Sequence, residues 1–288
     1  MTECPDNDLI KAVTGLEGGC VACGSTCGVV SAGALCLALA HEAEIEAGGC
    51  EAKKEVLARV NEFAGWFAAN YGTFLCRERT RADFYSKWGQ LKYFLTFYRM
   101  AGCFRHMRGT LRHLYLYQFR QQQPLLPEPT RSGENCTLHC AGYVMENIRK
   151  NTGIGNQRLE ALSFVFDGGV GLSGGLCGAL AGAVTGINIL MGLPVRQQSY
   201  WKTAAGFGIG HVNLLVDQPF GSGEPFAAGK QMVKKFKENA GSFECCEITG
   251  KRFSGWDDFQ EFIKGTPPCR QLMALAIDEA SRIIKSYQ

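Results

Sequence analysis

Cysteine is the residue type best suited to do chemistry in this chain. The 288 residues include 14 cysteines, and the stretch CVACGSTCGVVSAGALC at 20–36 has four of them and no charged residue. Cysteine thiolates bind soft metals and form redox couples, whereas neutral buried thiols pack like small apolar residues. The sequence therefore favours metal binding or thiol redox chemistry, with a packing role as the alternative.

The beginning of the chain predicts the compartment. The first eight residues, MTECPDND, are acidic and polar where a secretory signal would be basic and then apolar. We therefore expect a cytoplasmic location, where a reducing environment disfavours a framework of structural disulfides. The longest uncharged run, 168–195, is interrupted by glycines and lacks flanking aromatic or basic belts. It predicts a buried helix–loop–helix and no transmembrane span.

An internal repeat organises the cysteines. Residues 17–34 align without a gap on 167–184, at a constant offset of 150, so that Cys27 coincides with Cys177. An acidic residue, a Gly-Gly pair and the Cys-Gly dipeptide are shared by the two segments. This self-similarity indicates that the chain is a tandem duplication.

The similarity continues downstream in the same order. The segments around Cys76 and Cys245 resemble each other, and each copy then has one more cysteine, Cys103 or Cys269, that opens a helical pattern. Three cysteine positions are therefore repeated in the two copies.

A proline-rich segment separates the copies. Residues 124–135 contain three prolines, which cannot continue a helix. They divide the chain into a first unit at 1–123, the linker and a second unit at 136–288. Only the second unit has room for a leading helix, at 136–153. It also has an insertion at about 195–225, whose weak periodicity predicts a loop that acts as a lid or contact surface.

The periodicity of the remaining segments is helical. Apolar residues recur every three or four positions, as in LMALAIDEASRII at 272–284 and KQMVKKFKENAG at 230–241. No stretch shows sustained alternation of apolar and polar residues. We therefore predict an all-α fold of two related helical units, of which the first lacks its leading helix.

The second copy resembles the C_GCAxxG_C_C family, which is named for four cysteines and a Cys-Gly-Ala-x-x-Gly motif. The resemblance covers about 133–288 and rests on Cys140-Ala141, CGALAG at 177–182, GSFEC at 241–245 and Cys269. It implies a helical fold and a redox role, with iron–sulfur binding as an attribute that is not general in the family.

The first copy departs from this pattern. It keeps Cys27-Gly28, GTFLC at 72–76 and Cys103, but its motif is CGVVSA and the leading-helix cysteine is missing. The four-cysteine site is therefore incomplete in the first copy, unless a cysteine from elsewhere supplies the missing ligand.

Two further cysteines of the first copy are candidates for that ligand. Cys20, Cys23 and Cys27 stand at i, i+3 and i+7, and in a helix this spacing would put all three within about 60° on one face. Cys36 would then face the opposite way, and we expect it to pack in the core.

Four thiolates on separate helices suit a soft metal centre, either a tetrahedral zinc or an iron–sulfur cluster of the [2Fe–2S] or [4Fe–4S] type. A metal-free dithiol–disulfide couple is the rival, with Cys20/Cys23 or Cys177/Cys245 as the pair. No Cys-x-x-Cys-His string occurs, so the sequence gives no c-type haem attachment site. The candidate metal ligands are four cysteines of the second copy and five of the first: Cys140, Cys177, Cys245, Cys269, Cys20, Cys23, Cys27, Cys76 and Cys103.

The histidines give weaker signals. His139 adjoins Cys140, so one interpretation is that it ligates or tunes a metal centre. The favoured alternative is that it faces solvent. His106 and His113 lie seven residues apart, and we expect them to extend a positive helix surface. The role of His211, within the insertion, is left open.

Charge is distributed unevenly along the chain. The net charge is +3, but residues 1–75 carry ten acids and four bases, whereas 76–131 carry eleven bases and three acids. The basic stretch predicts docking of an acidic redox partner, with a solvated helix face as the alternative. Nucleotide-loop spacings fail at 206–210 and 221–231, and no nucleic-acid-binding module is recognisable. A homo-oligomer is compatible with the sequence.

Together these observations favour an intracellular redox or electron-transfer protein with cysteine-ligated iron–sulfur centres. A metal-free thiol–disulfide oxidoreductase is the first alternative. A zinc-bound or structural binding subunit of a redox complex is the second.

Overall fold

The computed structural model describes residues 6–120, 138–216 and 224–288. Over these residues it has fourteen α-helices, two short 3₁₀ segments and no β-strand, so the predicted all-α class is confirmed. The predicted linker at 124–135 lies outside the described residues. The helices are α1 (Asn7–Val13), α2 (Gly28–Ala40), α3 (Glu42–Tyr71), α4 (Cys76–Thr80), α5 (Lys87–Leu95), α6 (Phe97–Arg120), α7 (Cys140–Thr152), α8 (Gln157–Leu162), α9 (Gly178–Met191), α10 (Tyr200–Leu215), α11 (Glu224–Ala240), α12 (Cys245–Thr249), α13 (Trp256–Gly265) and α14 (Pro267–Lys285).

The repeat extends further toward the N-terminus than the cysteine-rich segment. The Asp6 carboxylate accepts hydrogen bonds from two backbone N–H groups at the start of α1, and the side-chain oxygen of Asn156 caps α8. Each helix is followed by a 3₁₀ segment, Thr14–Leu16 after α1 and Ser163–Phe166 after α8. Helix α7 has no counterpart among the described residues of the first unit.

The uncharged run 168–195 forms one helix and not the predicted helix–loop–helix. Its five first residues, 168–172, all have positive φ, and α9 begins only at Gly178. Successive left-handed residues cannot belong to a right-handed helix, so the first half of the run is a turn. Most of α9 is buried.

The described helices were also compared with the requirements of a membrane span. No single helix in this part of the chain is long and apolar enough to cross a membrane. Helices α2 and α3 meet the length and composition test only as a pair, and they are bent by 97° relative to each other.

The insertion predicted as a loop contains helix α10. The hydroxyl of Ser199 accepts a hydrogen bond from the Lys202 N–H and caps this helix. Three glycines interrupt its apolar pattern, which is why the sequence shows no clear helical period. One of them, Gly210, is required for packing, since a Cβ there would lie 2.1 Å from the Phe226 ring of α11. Residues 217–223 of the insertion lie outside the described part of the chain.

The two units interlock and share one hydrophobic core. Helix α1 of the first unit packs on α9 of the second, where Lys11 Nζ donates a hydrogen bond to the carbonyl oxygen of Leu190 at 2.6 Å. Asn61 of α3 donates to the carbonyl oxygen of Gly171, in the turn before α9, also at 2.6 Å. Each unit therefore helps to position the elements of the other, and the proposed domain boundary stays a prediction.

Candidate metal centre

Four cysteines of the second unit line one small cavity. Cys140, Cys177, Cys245 and Cys269 come from four different helices and surround a space of about 20 Å³, which is room for one water-sized particle. The structure thus brings together the four residues that carry the motif. The remaining wall is largely apolar and includes Ile248, Phe253, Phe259, Phe262, Ile263, Leu272 and Met273.

Each of these cysteines stands at the beginning of a helix. Cys140 and Cys245 are the first residues of α7 and α12, Cys177 is the N-cap of α9, and Cys269 is the third residue of α14. The first N–H groups of a helix lack intrahelical partners and carry partial positive charge. Burial raises the pKa of Cys177, and two N–H groups at the start of α9 oppose that rise.

One pair of backbone hydrogen bonds holds Cys177 beside Cys245. The Cys177 N–H donates to the carbonyl oxygen of Phe243 at 2.8 Å, and the Cys245 N–H donates to that of Gly175 at 2.6 Å. Two cysteines that are far apart in sequence are therefore fixed by main-chain geometry, independently of their side chains.

The first unit repeats this arrangement at the aligned positions. The Cys27 N–H donates to the carbonyl oxygen of Phe74 at 2.8 Å, and the Cys76 N–H donates to that of Ser25 at 2.8 Å. The duplication seen in the sequence is thus reproduced hydrogen bond by hydrogen bond.

A left-handed turn leads into each of these cysteine pairs. Residues 168–172 have positive φ in the second unit, and residues 18–22 have positive φ in the first. Two of the former, Val170 and Leu172, are not glycine, and left-handed backbone costs such residues about 1–2 kcal/mol each. Strained backbone of this kind persists where the surrounding structure holds it, often at functional sites.

A family model described as "Putative redox-active protein (C_GCAxxG_C_C)" matches residues 1–111 and 138–283. The chain belongs to this family. One match falls in each unit, in agreement with a tandem duplication. The comparison with curated proteins and the comparison with solved structures found no match.

Of the C_GCAxxG_C_C cysteines of the second unit, Cys140 and Cys245 are buried, and Cys177 and Cys269 are partly buried. Burial is the main cause that raises the pKa of all four thiols. The Asp167 carboxyl adds to this effect at Cys140. The pKa of Cys269 is raised to about 11. As free thiols, these groups therefore keep their protons at neutral pH.

The chemistry of this donor set fits a soft metal. Four sulfur donors that face one apolar cavity are the ligand set of structural zinc and of iron–sulfur centres. Within 6–120, 138–216 and 224–288, no group of three or more His, Cys, Asp or Glu side chains is spaced to hold a metal ion. The sulfurs therefore face one space without closing around a single ion.

A buried acid supports Cys140 from behind. One oxygen of Asp167 accepts a hydrogen bond from the Cys140 N–H at 2.9 Å, and the other lies 2.8 Å from His139 Nδ1. Burial raises the pKa of Asp167, and His139 opposes that rise. Lys53 Nζ, from the first unit, lies 3.3 Å from His139 Nε2. His139 is thus part of this cluster, and the favoured solvent-facing interpretation is wrong.

In the first unit, Cys20 lies in the left-handed turn and Cys23 directly follows it, so neither lies on a helix. Cys20 has a φ of 76°, and the Cys23 thiol donates to the carbonyl oxygen of Gly19 at 2.8 Å. The common helical face proposed with Cys27 is therefore wrong, because positive φ at five successive residues reverses the sense of the backbone. Cys36 is exposed and not in the core as expected.

The three remaining candidate ligands of the first unit, Cys27, Cys76 and Cys103, lie around an arginine. Arg79 Nη2 donates to Cys27 Sγ at 3.3 Å and to Cys103 Sγ at 3.6 Å. Burial of Cys76 raises its pKa, and its charge neighbours are Cys27, Arg79 and Cys103. Arg79 aligns with Ile248 of the second unit, a residue that lines the four-cysteine cavity. A cation thus stands in the first unit where the second has an apolar wall.

Two histidines of α6, His106 and His113, differ from the sequence-based expectation. His106 contacts Arg79, and burial, then Arg79, lowers the pKa of His106 to about 4. Burial also lowers the pKa of His113, whose ring stacks on Trp66 at a centroid distance of 3.6 Å. These histidines are neutral at pH 7, so the predicted contribution to a positive surface is wrong.

His211 pairs the insertion with the first unit. Its Nε2 lies 3.3 Å from an oxygen of Glu17, the residue that aligns with Asp167. Burial lowers the pKa of His211, but Glu17 outweighs it, and the net shift is upward. The aligned acids of the repeat are therefore each paired with a histidine, a role that the alignment alone did not assign.

Proposed function

We propose that the protein is an electron-transfer protein whose second unit binds an iron–sulfur centre through Cys140, Cys177, Cys245 and Cys269. The observation that carries the proposal is the convergence of these four thiols, each from the start of a different helix, on one apolar cavity. The redox character of the family agrees with it.

The protonation of the four thiols supports a metal over a dithiol couple in this unit. A redox-active thiol needs an accessible thiolate, which a positive neighbour or a helix start stabilises. Here burial raises the pKa of every member of the set. A bound metal replaces the protons and neutralises the sulfurs, so burial that suppresses thiol reactivity is compatible with metal binding.

The bound centre would supply one-electron transfer, with a potential tuned by its surroundings. The apolar wall, which includes Phe253, Phe259 and Ile263, keeps water away from the sulfurs. Asp167 holds the Cys140 backbone N–H and orients His139. Hydrogen bonds of this kind orient the ligands before a centre binds, so the ligands move less on binding.

The basic region of the first unit is the proposed docking surface for an acidic redox partner. Large apolar side chains are exposed there beside basic residues, with Trp88 at 78%, Leu95 at 76% and Phe97 at 74% relative exposure. Lys87 and Lys92 belong to the same helix as Trp88. Attraction between opposite charges would make the complex sensitive to salt. We also place the protein in the reducing cytoplasm as part of this proposal.

Anaerobic purification followed by iron, zinc and acid-labile sulfide analysis tests the function. We expect iron and sulfide in the full chain, their loss in Cys245→Ser, and their retention in Cys246→Ser. Cys246 is a matched control because it adjoins Cys245 but does not line the cavity. Stoichiometric zinc without sulfide would favour the zinc-bound binding subunit. Absence of any metal after reconstitution would refute the proposal.

A further inference from the structure

The first unit contains a cation surrounded by sulfur. The Arg79 guanidinium donates to the sulfurs of Cys27 and Cys103, and it also contacts His106. The hydroxyl of Tyr93 donates to the same Cys103 sulfur at 3.2 Å. Cys103 therefore has two strong donors directed at it, a guanidinium and a phenol.

The polar partners of the Arg79 guanidinium are two thiols and a histidine. Among the described residues, no Asp or Glu oxygen lies within ion-pair distance of its guanidinium. Arg79 is partly buried, and a cation that loses part of its water shell favours electron-rich neighbours such as sulfur. Burial works to lower the pKa of Arg79, but the thiols of Cys27, Cys103 and Cys76 outweigh it and raise it.

Cys103 is the sulfur toward which the Arg79 guanidinium and a second donor, the Tyr93 hydroxyl, are both directed. His106 is neutral at pH 7, because burial and then Arg79 lower its pKa to about 4. Burial raises the pKa of Cys27, which therefore keeps its proton. Cys103 is partly exposed, whereas Cys27 is buried, and only Cys103 accepts from both Arg79 and Tyr93.

We propose that the first unit is a metal-independent dithiol site, in which the Cys103 sulfur reacts with a small hydroperoxide and Cys27 then closes a disulfide with it. Arg79 Nη2 donates to both sulfurs. The distance between Cys27 Sγ and Cys103 Sγ therefore cannot exceed the two hydrogen-bond lengths combined, about 6.9 Å. A short approach of the side chains, with Arg79 withdrawn from between them, would form the bond. The inference does not depend on a metal in the second unit.

The proposed reaction has two steps. The Cys103 sulfur attacks one oxygen of the hydroperoxide, so that an S–O bond forms, the O–O bond breaks, and the leaving oxygen takes a proton and departs as water or alcohol. The Cys27 sulfur then attacks the Cys103 sulfur, so that an S–S bond forms, the S–O bond breaks, and water leaves with the Cys27 proton. Two thiols lose two electrons in total, and the hydroperoxide gains them.

The alignment of the two units explains why only one would have this chemistry. Ile248 takes the place of Arg79 in the second unit, where it lines the four-cysteine cavity. A guanidinium beside the sulfurs stabilises a thiolate and repels a metal cation, whereas an isoleucine does neither. The same backbone frame therefore supports two different sulfur sites.

The role of the arginine is tested by the alkylation rate of Cys103 in the native full chain. Mass spectrometry after a short iodoacetamide pulse at pH 7 measures that rate residue by residue. We expect Arg79→Gln, which keeps a donor but loses the charge, to slow Cys103 about tenfold, since a neighbouring guanidinium stabilises the negative charge on an attacking sulfur. Arg79→Lys should keep most of the rate. Arg108→Gln, at an exposed position of the same basic region, should leave it unchanged.

A second measurement needs no variant and remains valid if Arg79→Gln fails to fold. Native protein treated with one equivalent of hydrogen peroxide should give a Cys27–Cys103 disulfide that a reductant reverses, with the metal content unchanged. The proposal is overturned if Cys103 alkylates no faster in the native chain than in the urea-unfolded chain, or if peroxide gives no Cys27–Cys103 disulfide. Loss of metal in the second unit would not produce either result, so the two proposals fail separately.

Discussion

The residues that precede each cysteine pair carry an unusual backbone. Five successive positive φ values, at 18–22 and again at 168–172, turn the chain back so that Cys27 and Cys177 meet their downstream partners. Glycine accounts for only part of each turn, because Cys20, Val21 and Ala22 also have positive φ. The turn is thus specified by its contacts and not by glycine alone.

Gly169 and Gly241 distinguish two reasons for a glycine, a positive φ and the close approach of other atoms. Both have positive φ, but a Cβ at Gly169 would lie 2.4 Å from the Gly175 nitrogen, whereas nothing lies within 4 Å of one at Gly241. We expect Gly241→Ala to lower the free energy of unfolding by about 1–2 kcal/mol, the cost of left-handed alanine. Gly169→Ala should lose roughly 2 kcal/mol more because backbone must move. Urea unfolding measures both, and equal losses would contradict the close approach.

The sequence predicted which cysteines belong to the candidate sites. It did not predict that an arginine lies among those of the first unit. The offset of 150 and the family motif identified Cys27, Cys177 and the downstream cysteines. The common helical face predicted for Cys20 and Cys23 was wrong. A spacing argument assumes a right-handed helix and cannot reveal successive left-handed residues. Arg79 belongs to a run, RERTR, that composition assigns to the surface. Its burial depends on partners more than twenty residues away, which a local pattern does not contain.

At the scale of elements, the contact between α7 and α9 delivers Cys140 to the cavity. Gly182, the last residue of the Cys-Gly-Ala-x-x-Gly motif, lies where a Cβ would be 2.7 Å from the Ala141 carbonyl oxygen. The motif glycine is therefore a packing requirement between two helices. The helical character of most elements was predictable from the spacing of apolar residues. Helix α10 was not, because glycines that pack against α11 interrupt its apolar pattern.

Substituting the motif glycine should move α7 and weaken the site. Gly182→Ala gains helix propensity, but its overlap with backbone should lower the free energy of unfolding by about 1–3 kcal/mol and reduce bound iron. Gly186→Ala, on the same helix, meets only the flexible Ile148 side chain at 3.1 Å, and we expect it to retain metal. Thermal unfolding and iron analysis measure the two effects. Full metal content in Gly182→Ala would argue against the role of this contact.

At the scale of the whole molecule, the copies are built into each other. Helix α1 packs on α9, His211 of the insertion pairs with Glu17, and Arg158 of the second unit donates two hydrogen bonds to Glu42 of the first, at 2.6 and 2.5 Å. The duplication was visible in the sequence, but the interlocking was not. The interlocking could not be predicted because an apolar face indicates that a helix is buried but not which unit it packs against.

The Glu42–Arg158 pair predicts a pH-dependent part of the stability. The hydrogen bond from Arg158 lowers the pKa of Glu42, so its contribution is present above the ordinary value of 4.5 and is lost as pH falls through the lowered one. We expect Glu42→Gln to lower the free energy of unfolding by about 0.5–1 kcal/mol at pH 7, as for a partly exposed ion pair. The difference should shrink below pH 4. Glu46→Gln, an exposed control on α3, should have no effect at either pH.

The central claim is that the aligned sulfur frames do different chemistry, with the metal in the second unit. The most direct test is EPR spectroscopy of the reduced and oxidised full chain after anaerobic purification, with the aligned variants Cys177→Ser and Cys27→Ser compared side by side. We expect one paramagnetic iron–sulfur centre per chain, which Cys177→Ser abolishes and Cys27→Ser leaves intact. A signal that survives Cys177→Ser, or that Cys27→Ser removes, would contradict it.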